Sequence, residues 1–327
     1  MASMMRKFLL FYIALMISAS PAVTQAAGKK SPYKLNNSSK YTLVNKSTNR
    51  RVHSRLQRTN ANYDIYDGSG PLRLASAKAL VINQLTGETI FAKNTDQATP
   101  IASVTKLMTA MVMLDAHLPM DDLLYIDDQD VDYLKNTHSR LSVGTSLTRG
   151  ELLQLALMAS ENRAAAALGR NYPGGINAFV NAMNYKAQAL GMTSSHFVDS
   201  TGLDSNNMST AEDLAKMVNA AYHYPEIRQV TTTASQDITF FGRARPTSFV
   251  NTNSLVRGSD WIIGLSKTGF INEAGRCLVM QAEISGQPMI IVLLDSAGKQ
   301  TRIGDANRIR KWIEHNDAKS LGENVSG

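Results

Sequence analysis

Ser103 and Lys106 stand three residues apart in IASVTKLMTA, residues 101–110. Where such a pair opens a helix, positions i and i+3 share a face, so the amine reaches the hydroxyl. A helix that is apolar on nearly every side desolvates the lysine. Its pKa then falls, and the neutral amine is able to take the serine proton. A serine near a helix start also has backbone N–H groups close to any oxyanion formed there. The same spacing recurs at Ser31–Lys34 and Ser296–Lys299, where it looks incidental. Serine is a favoured helix cap, so an N-cap Ser103 beside a solvated Lys106 is the competing reading.

Two further patterns bear on the choice. Ser160-Glu161-Asn162 ends the apolar run LLQLALMA, and a hydroxyl and an amide two residues apart there can share a cleft. S-x-N also recurs at Ser47–Asn49 and Ser205–Asn207, and polar caps at a helix end account for it equally. Lys267-Thr268-Gly269 occurs once, inside an apolar strand-like run. A cation, a hydroxyl and a glycine in succession suit a bound carboxylate, with the glycine admitting a ligand backbone. An edge-strand lysine beside a turn glycine is the alternative.

These residues need elements to hold them. AKALVIN and TIFAK are β-prone runs joined by Gln84–Glu88, which reads as a hairpin. Leu107, Ala110, Met111 and Leu114 recur at helical spacing in a segment apolar almost all round, which predicts a central helix. LTRGELLQLALMASENRAAAAL is a second helical stretch, opened by a Thr148/Glu151 capping box. A further box at Ser209/Glu212 precedes DLAKMVNAAY. WIIGLSKTGF, CLVMQAEI and PMIIVLL are strand-like, with Ser285-Gly286-Gln287 as a tight turn between the last two. Ile303, Ala306, Ile309 and Ile313 mark a last amphipathic helix. Strands near both ends and helices between them predict one antiparallel sheet with helices packed on it.

The first 27 residues read as a secretory signal peptide: Arg6 and Lys7, the apolar run Phe8–Ile17, then Ala22, Ala26 and Ala27. The run is short for a membrane span of about 20 residues, although an uncleaved anchor is the rival. Residues 28–70 read as a basic disordered linker. Nine Lys or Arg and no acid lie between Gly28 and Asn60. With Arg6 and Lys7 they outweigh the total of +7, which leaves about −4 on residues 61–327 and argues against nucleic-acid binding. Such an arm suits loose contact with membrane headgroups or wall polymers; a solvated linker without a partner is the alternative. Residues 71–316 form the expected catalytic domain and 317–327 a polar tail. Cys277, the one cysteine, sits in an apolar run and reads as a small core residue. No histidine or cysteine spacing suits a metal, and neither metal nor cofactor is expected.

With S-V-T-K, S-E-N and K-T-G in this order, the chain resembles the serine-type D-Ala-D-Ala peptidases, the low-molecular-mass penicillin-binding proteins. HFVDSTGLDSNNMSTAEDLAKM adds to the likeness, which runs from about Ala77 to about Glu314. The resemblance implies a β-lactamase/DD-peptidase-like α/β fold: a five-stranded antiparallel sheet with helices on both faces and a mainly helical subdomain. It implies acyl transfer, with Ser103 as nucleophile, Lys106 as general base and Ser160 as proton relay. Asn162, Lys267, Thr268 and Gly269 would bind substrate, and the N–H of Phe270 would join that of Ser103 at the oxyanion. Lys267 would lie close enough to Lys106 to help depress its pKa. The implied partners are peptidoglycan peptide stems and β-lactam antibiotics, in the periplasm.

Glu161, where many carboxypeptidases of this kind carry glycine, resembles the endopeptidase subgroup, as do a missing second domain and C-terminal anchor. That subgroup cuts D-Ala–diaminopimelate cross-links. Glu161 either meets substrate or is solvated. The alternatives are a carboxypeptidase that releases terminal D-Ala, a β-lactamase, and a non-catalytic wall-binding module. No E-x-x-x-N segment follows Asn162 to supply the deacylating glutamate of a class A β-lactamase. The intact Ser103–Lys106 pair argues against pure binding.

Overall fold

The computed structural model describes residues 68–240 and 245–325. The expected signal peptide, and the expected linker before residue 68, lie outside them. β1 (Lys78–Asn83) and β2 (Thr89–Lys93) form the expected hairpin. Late in the chain come β3 (Ile262–Ile271), β4 (Gly275–Ile284) and β5 (Gln287–Ser296). The turn between β4 and β5 has positive φ at both Ser285 and Gly286, the hairpin conformation that matches strand twist. β1 pairs with β5, from Lys78 opposite Leu294 to Asn83 opposite Met289. The result is one antiparallel sheet in the order β2-β1-β5-β4-β3.

Both faces of this sheet are covered, which is why its central strands read as continuous apolar runs. Ala79, Val81, Leu278, Met280, Ile291 and Leu293 face one core with Ala306, Ile309 and Ile313. Leu80, Val279, Ile290, Val292 and Leu294 face a second, larger core built with the helices of the chain's middle. Those helices are α1 (Lys106–Asp115), α2 (Arg149–Met158), α3 (Asn162–Arg170), α4 (Gly175–Ala189), α5 (Ala211–Tyr222) and α6 (Pro225–Thr231). α7 (Ser254–Arg257) is one short turn before β3. α8 (Thr301–Val325) carries the predicted Ile303/Ala306/Ile309/Ile313 stripe and stays helical through residues expected as a polar tail. In α1, every residue from Lys106 to Met113 is buried, as an all-apolar pattern requires.

Two local expectations are corrected. The stretch Leu147–Leu168 is not one helix: α2 stops at Met158, Ser160 takes φ 59°, and α3 starts at Asn162. The second capping box is not Ser209/Glu212. Ser209 is held in a short ladder with Thr99 and its hydroxyl contacts that of Ser195 at 2.8 Å, so Thr210 becomes the cap and accepts from the N–H of Asp213 at 3.1 Å. Glu212 instead accepts from Thr95 at 2.7 Å. The Thr148/Glu151 box forms as expected, with both reciprocal bonds present.

Candidate functional site

Ser103 sits in a 3-10 turn, Ala102–Thr105, that runs straight into α1. It caps nothing. Its hydroxyl is instead 2.9 Å from the Nζ of Lys106. The turn is braced from two sides, and Ala102 holds the uncommon φ of 48°. From one side comes the loop Asp199–Asn207, part of the segment that carries the family likeness. The N–H of Ile101 donates to Asn207 O at 3.1 Å, and Gly202 (φ 80°) presses on Ala102; a Cβ there would lie 1.9 Å from the Ala102 carbonyl oxygen. From the other side comes β3. A Cβ on Gly269 would meet Ile101 O at 2.8 Å and the backbone N of Ser103 at 3.2 Å. The glycine of Lys-Thr-Gly therefore admits the serine turn, where the sequence reading assigned it to a ligand backbone.

Lys106 is 1% exposed. Besides Ser103, its Nζ donates to Asn162 Oδ1 at 2.7 Å and to the carbonyl of Thr201 at 2.6 Å. Three acceptors satisfy an ammonium. They also suit a neutral amine, which keeps N–H bonds to Asn162 and Thr201 and turns its lone pair to the Ser103 hydroxyl. Burial pushes the Lys106 pKa down to about 7, while the charges of Asp199, Glu161 and Asp132 pull it upward. The sequence reading placed Lys267 among the causes. That repulsion is mutual: burial, then Lys106 and Arg302, hold Lys267 well below the ordinary lysine range.

Lys267, also 1% exposed, donates to Ser160 Oγ at 2.9 Å and to Thr268 O at 3.0 Å. Ser160 reaches it because the break between α2 and α3 turns its hydroxyl out at positive φ. That is a strained conformation of a kind that collects at functional sites. Asn162 joins the buried Lys106 to the Thr137 loop: Lys106 donates to its oxygen, and its Nδ2 donates to Thr137 Oγ1 at 2.9 Å.

Six of the eight predicted residues, Ser103, Ser160, Asn162, Thr268, Gly269 and Phe270, line one open cleft of about 260 Å³. Lys106 and Lys267 form its buried floor. Thr252 and Arg302 complete the lining, and the sequence reading missed both. Thr252 Oγ1 is 2.6 Å from Thr268 Oγ1. Arg302, near the start of α8, donates from Nη1 to Gly269 O at 3.2 Å, and its buried Nε has no partner. Burial and Arg276 depress its pKa. Nothing in the local sequence around Arg302 marks it apart from the other cations of that helix.

Glu161 neither faces substrate nor is solvated. It is 6% exposed, and its carboxylate accepts from Ser139 Oγ at 2.6 Å and Arg140 Nε at 3.3 Å. It pins the loop that carries Thr137 beneath the cleft wall. Cys277 is fully buried and its thiol is pushed up to about 11 by burial, which fits a core residue and not a nucleophile.

The arrangement is able to deprotonate a hydroxyl at neutral pH, deliver it to a carbonyl, and hold a carboxylate nearby. Residues 66–298 match the family described as D-alanyl-D-alanine carboxypeptidase. A D-alanyl-D-alanine endopeptidase of Pseudomonas aeruginosa is 48% identical over 241 residues, covering 74% of this chain and 78% of that protein. The D-alanyl-D-alanine endopeptidase of Escherichia coli is 46% identical with the same coverage. Among solved structures, a Streptomyces DD-transpeptidase superposes with a TM-score of 0.68 at 30% identity, over 73% of this chain and 97% of its own. A D-alanyl-D-alanine carboxypeptidase from Mycobacterium tuberculosis gives 0.67 at 28% identity, over 75% and 93%. With a family match over residues 66–298 and relatives at 48% and 46% identity, the chain belongs to the D-alanyl-D-alanine carboxypeptidase family of serine peptidases.

Proposed function

We propose that this chain is a peptidoglycan endopeptidase that hydrolyses D-Ala–diaminopimelate cross-links by serine acyl transfer, in the periplasm. One observation carries the chemistry: a lysine amine pushed down to about 7 stands 2.9 Å from a serine hydroxyl. Neutral Lys106 takes the proton as Ser103 Oγ attacks the carbonyl of the D-Ala residue. The N–H groups of Ser103 and Phe270 receive the oxyanion. The proton held by Lys106 passes through the hydroxyl of Ser160, which Lys267 holds in place, to the leaving amine, and Lys106 returns to its neutral form. Water then attacks the ester, Lys106 again serving as base, and Ser103 is regenerated. The backbone of the stem binds along β3 and takes the place of Thr137 on the Nδ2 of Asn162.

The carboxylate of the leaving residue belongs at Thr268, Thr252 and Arg302. Arg302 supplies a buried Nε that has no partner among the described residues. Lys267 contributes its field from beneath. In a cross-link the leaving amine sits on a carbon that also bears a carboxylate, so this anchor serves there as it does for terminal D-Ala.

Preference for cross-links rests on the relatives at 48% and 46% identity, both named endopeptidases, against carboxypeptidases at 31% or less. Export rests on the basic, apolar and small-residue succession of residues 1–27. Fluorescent penicillin labelling, followed by digestion of a purified cross-linked dimer and a pentapeptide monomer side by side, tests the proposal. Cleaved dimer is the expected result. Released D-Ala with the dimer intact makes the protein a carboxypeptidase, and hydrolysed penicillin with both peptides intact makes it a β-lactamase.

A further inference from the structure

One contact between the two walls of the cleft has no part in the chemistry above. Ser160, Asn162 and the loop behind Thr137 form one wall; β3 forms the other. Two lysines cross between them. Lys267 of β3 reaches Ser160 at 2.9 Å. Lys135, two residues before Thr137, pairs with Glu273, in the turn that follows β3. Ser103 lies between the two crossings, since its backbone N packs against Gly269. A peptide with its carboxylate at Thr268 and its carbonyl at Ser103 therefore leaves along β3 past Phe270, toward Lys135 and Glu273.

These side chains are 25% and 43% exposed. An ion pair so open to water contributes little, and an incoming substrate separates it easily. Asp132, the nearest other acid of the loop, is occupied. Its carboxylate accepts from the N–H groups of Leu134, Lys135 and Thr137 and so holds Lys135 in place. Lys135 and Glu273 thus face each other where the acyl part of the substrate exits, beyond Phe270, whose ring is covered by Arg276 at 4.3 Å.

We propose that Lys135 and Glu273 are a specificity-determining pair for the acyl side of the stem. They part to take a side chain that ends in both an amine and a carboxylate, the amine on Glu273 and the carboxylate on Lys135. Diaminopimelate with a free end has this chemistry, and a doubly acetylated lysine does not. The inference rests on the acyl-transfer reading above and adds the substrate class of that site.

The test uses two peptides that both end in D-Ala-D-Ala, one with free-ended diaminopimelate on the acyl side and one with diacetyl-lysine. The readout is the ratio of their kcat/KM values. Wild type should favour the diaminopimelate peptide. Lys135→Ala and Glu273→Ala should each lower the ratio about five- to tenfold, the scale of one or two exposed charge-assisted hydrogen bonds. Lys135→Glu combined with Glu273→Lys should recover part of it, because the exchanged pair still offers both signs. A ratio that either single variant leaves unchanged overturns the proposal, as does a double variant no better than the singles. Penicillin labelling of the same proteins separates the two levels: an unlabelled wild type defeats the acyl-transfer reading itself, whereas labelled variants with an unchanged ratio defeat only the pair.

Discussion

The base assigned to Lys106 makes a quantitative prediction about pH. Burial lowers the Lys106 pKa to about 7, and the neutral form is the one that accepts the Ser103 proton. At pH 6 about one amine in ten is neutral, and at pH 8 about nine in ten. The second-order rate of acylation by fluorescent penicillin should therefore rise about tenfold from pH 6 to 8 and then level off. A lysine titrating at its ordinary value near 10.5 would give about a hundredfold rise over that interval and about tenfold more by pH 9. Stopped-flow measurement at constant ionic strength distinguishes the two curves. Glu161→Gln sharpens the test, because the amide still accepts from Ser139 while a charge that raises the Lys106 pKa is gone. Its midpoint should move to lower pH. The same shift has a stability consequence. Between pH 7 and 9 the unfolded lysine holds a proton that the folded one has lost, so stability rises with pH, by about 2–3 kcal/mol for this group alone. Lys106→Met should remove that much of the pH dependence in urea unfolding. An acylation rate still climbing tenfold per pH unit at pH 9, or a Glu161→Gln midpoint that moves upward, would refute the reasoning.

Ser103→Ala should abolish covalent penicillin labelling; an adduct of full stoichiometry in that variant would place the nucleophile elsewhere. Gly269→Ala adds a Cβ 2.8 Å from Ile101 O, and should cost about 1–3 kcal/mol in urea unfolding while displacing the serine turn enough to slow acylation. Wild-type stability with a wild-type acylation rate would show that the two segments do not need their close approach. Thr148→Ala should lose about 1 kcal/mol through the cap of α2, read as a lower Tm with acylation unchanged. Cys277, buried with its thiol pushed up to about 11, should react with a thiol reagent only as fast as the protein unfolds; rapid labelling of the folded protein at neutral pH would contradict its place in the core.

Much of the scaffold was legible because it depends on neighbours in the chain. The β1–β2 hairpin, the Thr148 cap and the buried α1 each follow from patterns a few residues long. So do the apolar faces of β4, β5 and α8. The Ser103–Lys106 contact belongs to this class, since three residues of spacing at a helix start put the two groups on one face. Where local patterns misled, a distant partner intervened. Ser209 looked like a cap until pairing with Thr99 and contact with Ser195 claimed it. Glu161 was open between substrate contact and solvent, and Ser139 and Arg140 enclose it instead.

By itself, then, the order of residues marked most of the side chains that line the cleft and the short elements that present them. It left undecided what each side chain meets. Lys106 finds Asn162 from 56 residues away and the Thr201 carbonyl from 95, and Lys267 finds Ser160 from 107. Arg302 enters the cleft only because α8 packs on the sheet that carries Gly269. The pKa of Lys106 was settled the same way. A lysine in an apolar helix is expected to lose charge, but how far depends on the depth of burial and on three carboxylates from separate segments. Desolvation and Coulomb energy are set by distances in space, and tertiary packing alone fixes those distances.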